Sequence, residues 1–432
     1  MAEKLLALVD GEHYPPVVRA ALERAGQHGE VVAALLLGGR EKLAGDPEYG
    51  VPLERVGAGG AAESMVEAAR RHGATSILDL SDEPVLDETG RIALITHALA
   101  AGVGYAGADF ALEPPPRRRI GVPTVAVIGS GKRVGKTAVS GHLARLLAAR
   151  GDRVVVVAMG RGGSARPELV EGSDGGVGVD ELLERSRAGE HAASDFLEDA
   201  ALARVSAIGA RRCGSGLLGT PYMSNVDEAV ELALGQEPEL ILLEGSGAAV
   251  PPIAADRTLL VHPASSGAPG AGFGRYRLLV SDLVVATMCE APYATPEQLA
   301  ALGAGRPVVK TVLRPVPDAP LAGRRVVLFT TAPDPELMAE HLRTEYDVDV
   351  VAAFGSLSDR EQLARDLASA ETSRADVYLT EVKAAAIDMV AAAARDRGRE
   401  VVLCNNQPQA LDGEPDLDRL LLALADQAVG RG

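Results

Sequence analysis

A glycine-rich segment between a strand pattern and a helix pattern constrains this fold more than any other feature of the chain. Apolar residues dominate 124–128, glycines and lysines are concentrated in 129–136, and apolar side chains then recur with the spacing of one helix face from Val139 to Leu147. A buried strand, a glycine-rich loop and a helix in this order are typical of a phosphate-binding loop. Such a loop requires a parallel α/β sheet around it.

The residues of this loop suit a nucleoside triphosphate. Backbone N–H groups at the start of a helix bind phosphate oxygens, and the positive end of the helix dipole adds to that attraction. The Lys136 side chain can reach the β- and γ-phosphates, and the Thr137 hydroxyl can bind Mg²⁺. The strict pattern has glycine where this chain has Ser130, so we expect a wider loop. The predicted nucleotide-binding residues are Gly129, Ser130, Gly131, Gly135, Lys136, Thr137 and Ala138.

Two neighbouring strand patterns end in charged residues that can complete this site. The apolar run 240–243 ends in Glu244, which we predict to be a magnesium ligand beside Thr137. The run 154–158 leads into glycines around Arg161. Ligands of open parallel sheets bind at the carboxyl ends of the strands. We therefore expect Arg161 to contact a phosphate or another anion.

Two further segments bear on the ligands. The segment Gly209–Gly216 is predicted to be a second basic, glycine-rich turn, in which Arg211 and Arg212 either bind a substrate anion or stay solvated. A guanine-specific protein is expected to carry Asn-Lys-x-Asp at the strand end 287–290, where this chain has Thr-Met-Cys-Glu. That difference favours ATP over GTP as the nucleotide.

The alternation of short β-rich runs with helical patterns extends over the whole chain, which predicts βαβ units. Proline-rich runs at 113–119 and 314–320 interrupt it. We therefore predict an N-terminal Rossmann-like domain at 1–119, a P-loop nucleotide-binding catalytic domain at 120–320 and a C-terminal α/β module at 321–432. The predicted fold class is α/β, with a mostly parallel sheet in a central P-loop NTPase domain flanked by two Rossmann-like modules.

Composition excludes several classes of function. The 432 residues carry a formal net charge of −17, which disfavours general binding to nucleic acid or to anionic membranes. Aromatic residues make up 3% of the chain and tryptophan is absent, so base-stacking platforms are not expected. Three scattered cysteines fit neither a disulfide framework nor a zinc site.

The sequence also bears on location. Asp10 precedes any possible signal-peptide core, and no uncharged apolar run approaches the ~20 residues of a membrane helix. We expect a cytoplasmic protein without a membrane partner, and a homodimer is possible.

Taken together, the runs Ile128–Ser140 and Val157–Gly163 resemble the cyclic 2,3-diphosphoglycerate synthetases. The combination of a Gly-Lys-Arg-x-Gly-Lys-Thr loop with Met-Gly-Arg-Gly-Gly is far more specific than a phosphate loop alone. Ser130 and Val134 depart from the family, in which threonines are expected. The resemblance extends along the whole chain through three shorter segments, Leu8–Pro15, Thr287–Glu290 and Tyr378–Lys383.

The resemblance implies an enzyme that uses ATP and Mg²⁺ to close 2,3-bisphosphoglycerate into cyclic 2,3-diphosphoglycerate, with release of ADP and phosphate. Cations must then hold several polyanions together. The predicted catalytic residues are Lys132, Arg133, Lys136 and Arg161. His13 follows the first strand pattern and is a candidate substrate contact, whereas Glu381 and Lys383 can either face a ligand or pair with each other.

Two other functions stay open. The strand end Glu-Gly-Ser-Gly at 244–247 is similar to that of ATP-dependent synthetases that act on another small anionic substrate, a carboxylate or a phosphate. A nucleotide-switch or metal-delivery ATPase would also use the loop. Metal-delivery proteins usually carry clustered cysteine or histidine, which this sequence lacks.

Overall fold

The computed structural model describes residues 3–43, 45, 47–172, 177–190, 192–302 and 306–431. The chain divides into two compact units, which are described separately: the first contains 1–116 and 269–280, and the second contains 117–268 and 281–432. The division into three domains at 119 and 320 stays a prediction. No helix in the described ranges has the length and apolar character needed to cross a membrane.

The first unit is built on a Rossmann-like sheet. Its described strands are β1 (Lys4–Val9), β2 (Glu30–Leu36), β3 (Leu53–Arg55), β4 (Ser76–Asp79), β5 (Gly104–Ala106) and β6 (Ala111–Leu112). They lie in the order β3-β2-β1-β4-β5-β6, parallel except for the last pair. The order β3-β2-β1-β4-β5 is that of the first five strands of the Rossmann fold.

The helices of this unit begin where the sequence favours it. Prolines in the first turn start the helix Pro15–Ala25, since proline needs no helical partner there. The Asp87 side chain accepts a hydrogen bond from the Gly90 backbone N–H and caps the helix Glu88–Ala100. The other α-helices of the unit are Gly60–His72 and Arg275–Leu279.

The second unit contains a larger, mostly parallel sheet. Its described strands are β7 (Thr124–Gly129), β8 (Val154–Gly160), β9 (Glu168–Val170), β10 (Ser206–Cys213), β11 (Met223–Ser224), β12 (Leu240–Glu244), β13 (Arg257–Pro263), β14 (Leu283–Thr287), β15 (Val308–Pro317), β16 (Arg325–Phe329), β17 (Asp349–Phe354), β18 (Val377–Thr380) and β19 (Glu400–Ala410). They lie in the order β11-β10-β8-β12-β7-β13-β14-β15-β19-β18-β16-β17, and β9 pairs with β10. The predicted α/β fold class is confirmed.

Helices cover this sheet. The α-helices of the second unit are Lys136–Arg150, Val179–Arg187, Asp195–Glu198, Val226–Leu234, Pro296–Ala300, Pro335–Tyr346, Arg360–Leu367, Ala370–Arg374, Ala392–Asp396 and Leu417–Val429. Wider π-helical turns at Asp199–Ala203 and Ala386–Ala391 adjoin two of them.

The core around β7 positions the phosphate loop. β7 is buried along its whole length, which explains its continuous apolar run. The helix Lys136–Arg150 buries Leu143 and Leu147 in the same core. The C-terminal helix Leu417–Val429 packs on that helix, and His142 Nε2 lies 2.6 Å from Asp418 Oδ1.

The proline-rich segment 314–320, which is predicted to be a domain end, lies partly within a strand. Arg314–Pro317 belongs to β15, which pairs with antiparallel β19 as far as Pro317, while its pairing with β14 ends at Lys310. Within the described chain, this part of β15 has a strand neighbour on one side only, so a missing N–H can be tolerated there. One sheet therefore continues from the phosphate loop to the C-terminal strands.

Candidate nucleotide and anion site

A cavity of about 1270 Å³ lies in the second unit, and the phosphate loop forms part of its wall. Residues 131–138 contribute the loop, and 160–164 contribute the segment after β8. Other parts of the wall come from Ser246 after β12 and from Lys383 after β18. Ligand pockets usually measure about 300–1,000 Å³. The cavity therefore has room for a nucleotide together with a second small ligand.

Two glycines give the loop its shape. Gly135, which precedes the helix, has a φ of 82°, in the left-handed region that favours glycine. A Cβ at Gly129 would lie 2.9 Å from the Gly247 carbonyl oxygen, so the loop after β12 can approach β7 only because residue 129 has no side chain. The phosphate loop and the loop that follows Glu244 are therefore in close contact.

Ser130 is held by β13 rather than facing the cavity. Its Oγ lies 2.9 Å from Nδ1 of His262, and Nε2 of the same ring lies 3.0 Å from the Gly267 carbonyl oxygen. The carbonyl can only accept, so Nε2 carries the proton and Nδ1 accepts from the serine hydroxyl. The backbone N–H of Ser130 also donates to the Val261 carbonyl at 3.0 Å. Serine is thus accommodated in place of the usual glycine because its hydroxyl has a hydrogen-bond partner, His262, on the neighbouring strand β13.

Lys136 and Glu244 form a buried ion pair at the base of the loop. Lys136 Nζ lies 2.7 Å from Glu244 Oε1, and the two side chains are 8% and 0% exposed. Burial alone would lower the pKa of Lys136, but the charges of Glu244 and Asp195 raise it overall. Burial raises the pKa of Glu244, and Lys136 opposes that shift. The other carboxylate oxygen of Glu244 has no hydrogen-bond partner among the described residues.

Three acidic residues that the sequence analysis did not identify lie beside this pair. Asp195 lines the cavity, and its charge acts on both Lys136 and Lys383. Glu198 and Asp199 are buried, and within the described ranges Glu198 Oε2 and both Asp199 oxygens lack hydrogen-bond partners. Burial raises the pKa of Glu198 to about 7 although Lys383 lowers it. Asp199 also has a raised pKa, because of burial and the charge of Glu244.

The C-terminal strands add a third lysine to the cavity. The Lys383 ammonium lies 3.3 Å from Glu198 Oε1 and 3.9 Å from Glu381 Oε2. Lys383 thus pairs with Glu381 and also lines the cavity, whereas contact of either residue with a ligand stays a prediction. The one sequence signal for Glu381 and Lys383 was their position directly after a predicted strand.

The predicted cations of the loop and of β8 lie on the cavity wall. Lys132, Arg133 and Arg161 are exposed, and all three line the cavity. A Cβ at Gly247 would lie 2.8 Å from Arg161 Nη2, so the guanidinium rests against the loop after β12. Their roles in catalysis stay predictions.

The prediction of a basic turn at Gly209–Gly216 is wrong over its first five residues. Ser206–Cys213 forms strand β10, which pairs in parallel with β8. Successive side chains of a strand point to opposite faces of the sheet. Arg211 and Arg212 therefore point to opposite faces. Arg212 donates to the Ser246 carbonyl at 2.8 Å and to the Gly214 carbonyl at 2.7 Å. Neither arginine lines the cavity in the described structure, and their role as substrate contacts stays a prediction.

His13 lies in the first unit, after β1. Its Nδ1 is 2.8 Å from Oδ1 of the buried Asp10, which also accepts from the His13 backbone N–H at 3.1 Å. Asp10 thus fixes the ring and leaves Nε2 available. Contact between His13 and substrate stays a prediction.

Replacing Glu198 with Gln is expected to change how stability depends on pH. The native pKa of about 7 exceeds the ordinary 4.5, so the folded protein binds this proton more tightly than the unfolded chain does. The stabilisation from Glu198 is complete below pH 4.5 and falls by about 3 kcal/mol as the pH rises through 7. Glutamine does not titrate, so Glu198→Gln should gain stability relative to the original protein between pH 5 and pH 8.

Urea unfolding of the original protein and of Glu198→Gln, at pH 5 and at pH 8, measures this difference in stability. The matched control is Glu336→Gln, because the Glu336 side chain is 69% exposed and pairs with Arg343 on the surface. An equal difference between original and Glu198→Gln protein at pH 5 and pH 8 would contradict the prediction.

Comparison with known families gives matches over nearly the whole chain. Three models of one family match: "Cyclic 2,3-diphosphoglycerate synthetase, N-terminal domain" at 4–113, the P-loop domain of the same description at 124–315 and its C-terminal domain at 317–407. The central part of the chain is therefore a P-loop domain, which binds nucleotides.

Curated relatives named cyclic 2,3-diphosphoglycerate synthetase align along their full length. The Rubrobacter xylanophilus protein is 46% identical over 99% of this chain and 98% of the relative. The relative from Thermococcus gammatolerans is 40% identical over 99% and 98%, and the one from Methanothermobacter thermautotrophicus is 38% identical over 99% and 97%.

Among solved structures, LpxK from Aquifex aeolicus in complex with ATP aligns with a TM-score of 0.43 and 18% identity, over 72% of this chain and 90% of that chain. The family matches confirm the resemblance found in the sequence and the expectation of an enzyme. From the phosphate loop to both ends of the sequence, this chain belongs to the cyclic 2,3-diphosphoglycerate synthetase family.

Proposed function

We propose that this enzyme uses ATP to close 2,3-bisphosphoglycerate into cyclic 2,3-diphosphoglycerate, releasing ADP and phosphate. The observation that carries the proposal is one cavity lined by the phosphate loop and by three further cationic side chains, Arg161, Arg166 and Lys383, in a chain whose relatives along nearly its full length carry the synthetase name. ATP and a bisphosphate are both polyanions. A site for both therefore needs more positive charge than one phosphate loop supplies.

The nucleotide would bind to the loop through its phosphates. Residues 131–138 line the cavity, and the helix Lys136–Arg150, whose N-terminus would attract the phosphates, begins there. Lys136 would contact the β- and γ-phosphates, while Lys132 and Arg133 are exposed on the same wall. Gly129 and Ser130 do not line the described cavity, and they would support the loop from β7 and β13, while their contact with the nucleotide stays a prediction.

The residues beside the loop fit Mg²⁺. The Thr137 side chain lowers the pKa of Glu244, against the larger effect of burial, so the hydroxyl and the carboxylate are neighbours. Glu244 Oε2 is buried without a partner among the described residues, as expected of an oxygen that binds a cation. Mg²⁺ usually takes one or two carboxylates together with phosphates and waters, and it would neutralise phosphate charge here. Thr137 and Glu244 would hold it.

The reaction would proceed in two displacements. The γ-phosphoryl group of ATP is transferred to an oxygen of one substrate phosphate, and the bond to ADP breaks. An oxygen of the other substrate phosphate then attacks the activated phosphorus, and inorganic phosphate leaves as the ring closes. Lys132, Arg133, Lys136 and Arg161 would align these groups and balance their charge. A cytoplasmic location and a homodimer stay predictions.

Phosphorus NMR of the purified protein with ATP, Mg²⁺ and 2,3-bisphosphoglycerate tests the proposal. We expect a new anhydride-type pair of resonances together with ADP, and a positional label in the γ-phosphoryl group should be recovered wholly in the released phosphate. ADP without the anhydride would indicate another small anionic acceptor. No turnover would favour a nucleotide switch, and transfer of the label into any other product would contradict the two displacements.

A further inference from the structure

The distribution of lysine in this chain is uneven. The sequence has only six lysines among 43 basic residues, and the rest are arginine. Three of the six, Lys132, Lys136 and Lys383, line the same cavity. Lysine presents a compact, strongly hydrated point charge and suits a single oxygen, whereas arginine favours bidentate contacts. Two of these three belong to the phosphate loop, and Lys383 alone comes from the C-terminal strands.

Lys383 is held by two carboxylates of different character. Glu381 is fixed by donors from three residues: Thr331 Oγ1 at 2.8 Å, Asn406 Nδ2 at 3.0 Å and the Thr330 hydroxyl. Burial would raise the pKa of Glu381, but the Lys383 charge and these donors lower it overall. Glu381 is therefore ionised and orients the lysine. The Lys383 side chain remains 28% exposed and forms part of the cavity wall.

Glu198 is the partner that can give way to a ligand. Its Oε1 lies 3.3 Å from Lys383 Nζ, and its Oε2 has no partner in the described structure. An anion that approaches Lys383 repels the Glu198 carboxylate, which can take up a proton because its pKa is already near neutral. The ammonium is then free to bind the anion. The ionisable groups that face Glu198 are Lys383, Asp195, Glu381, Asp199, Arg145 and Cys404.

We propose that Lys383 binds an anionic group of the acceptor substrate, with Glu381 as its positioning residue, while the phosphate loop binds the nucleotide. The proposal rests on the proposed function for the identity of the acceptor. The charge of Asp195 acts on both Lys136 and Lys383, and all three residues line the same cavity, so the two ammonium groups lie near one acidic side chain. An acceptor that touches Lys383 would thus lie beside the phosphates of the nucleotide.

Steady-state kinetics of Lys383→Met is the first test. The KM for 2,3-bisphosphoglycerate should rise by about 10- to 100-fold, because a hydrogen bond to a charged group is lost. The KM for ATP should stay unchanged. Lys383→Arg should restore part of the affinity. Lys310→Met is the matched control, since Lys310 pairs with Glu414 and does not line the described cavity.

Calorimetry with inorganic pyrophosphate separates this inference from the proposed function. Pyrophosphate is titrated into protein saturated with Mg²⁺ and a non-hydrolysable ATP analogue, which occupies the loop. Weaker binding to Lys383→Met than to Lys310→Met supports the inference, even if the original protein makes no cyclic product. Equal binding, no pyrophosphate binding to the original protein, or an equal loss of affinity for the ATP analogue would overturn it.

A double variant tests whether Lys383→Met loses pyrophosphate binding only because it fails to fold. Loss of Lys383 leaves two buried carboxylates without their cation, which destabilises a fold. The double variant Lys383→Met/Glu198→Gln removes one of those charges. It should bind the ATP analogue like the original protein and still lack the pyrophosphate site.

Discussion

Lys136→Met is expected to lower kcat by about 10³-fold. The lysine ammonium lies at the start of the helix Lys136–Arg150, 2.7 Å from Glu244, and it lines the cavity. Methionine keeps much of the side-chain length but removes the charge that would stabilise the transferred phosphoryl group. Single-turnover measurement of ADP formation reports this loss directly.

Lys310→Met again supplies the control, because it removes a lysine of the same unit outside the described cavity wall. Binding of a fluorescent ATP analogue should show that Lys136→Met still folds. Retention of at least a tenth of the original kcat would contradict the role assigned to Lys136.

Glu244→Gln is expected to lower kcat by about 10²- to 10³-fold and to raise the Mg²⁺ concentration needed for half-maximal activity. The amide keeps the shape of the side chain but loses the charge of the unpartnered carboxylate oxygen. It also leaves Lys136 without its counter-charge in a buried place. Initial rates measured over a series of Mg²⁺ concentrations test both effects.

Glu239→Gln is the matched control, since Glu239 directly precedes β12 and pairs with Arg153 at 3.6 Å on the surface. It should leave the Mg²⁺ dependence unchanged. A Glu244→Gln enzyme that loses rate but requires no more Mg²⁺ would show that Glu244 acts only through Lys136.

The sequence predicted the phosphate loop well because its signals are local. The strand, the loop and the helix of 124–150 are continuous in the chain, and the glycine requirement at Gly135 follows from its own backbone conformation. The family resemblance then extended the prediction to the ends of the chain.

Contacts between distant segments could not be predicted in the same way. Ser130 departs from the loop pattern, and its partner His262 comes from another strand 132 residues away. Asp195 and Glu198 carry no motif of their own, and they reach Lys383 only through the fold. The composition of Gly209–Cys213 also led to a wrong prediction. Its glycine and arginines indicated a turn, but these residues belong to β10, which pairs with β8.

The continuous sheet has a consequence for acceptor size. The loop after β7 and Lys383 after β18 are joined through β13, β14, β15 and β19 without a flexible linker in between. Backbone hydrogen bonds fix each of these strand pairs, so the fold sets the separation of Lys136 and Lys383 before any ligand binds. A related protein with one more strand inserted between β14 and β19 would hold these cations farther apart, and we expect it to select a longer acceptor.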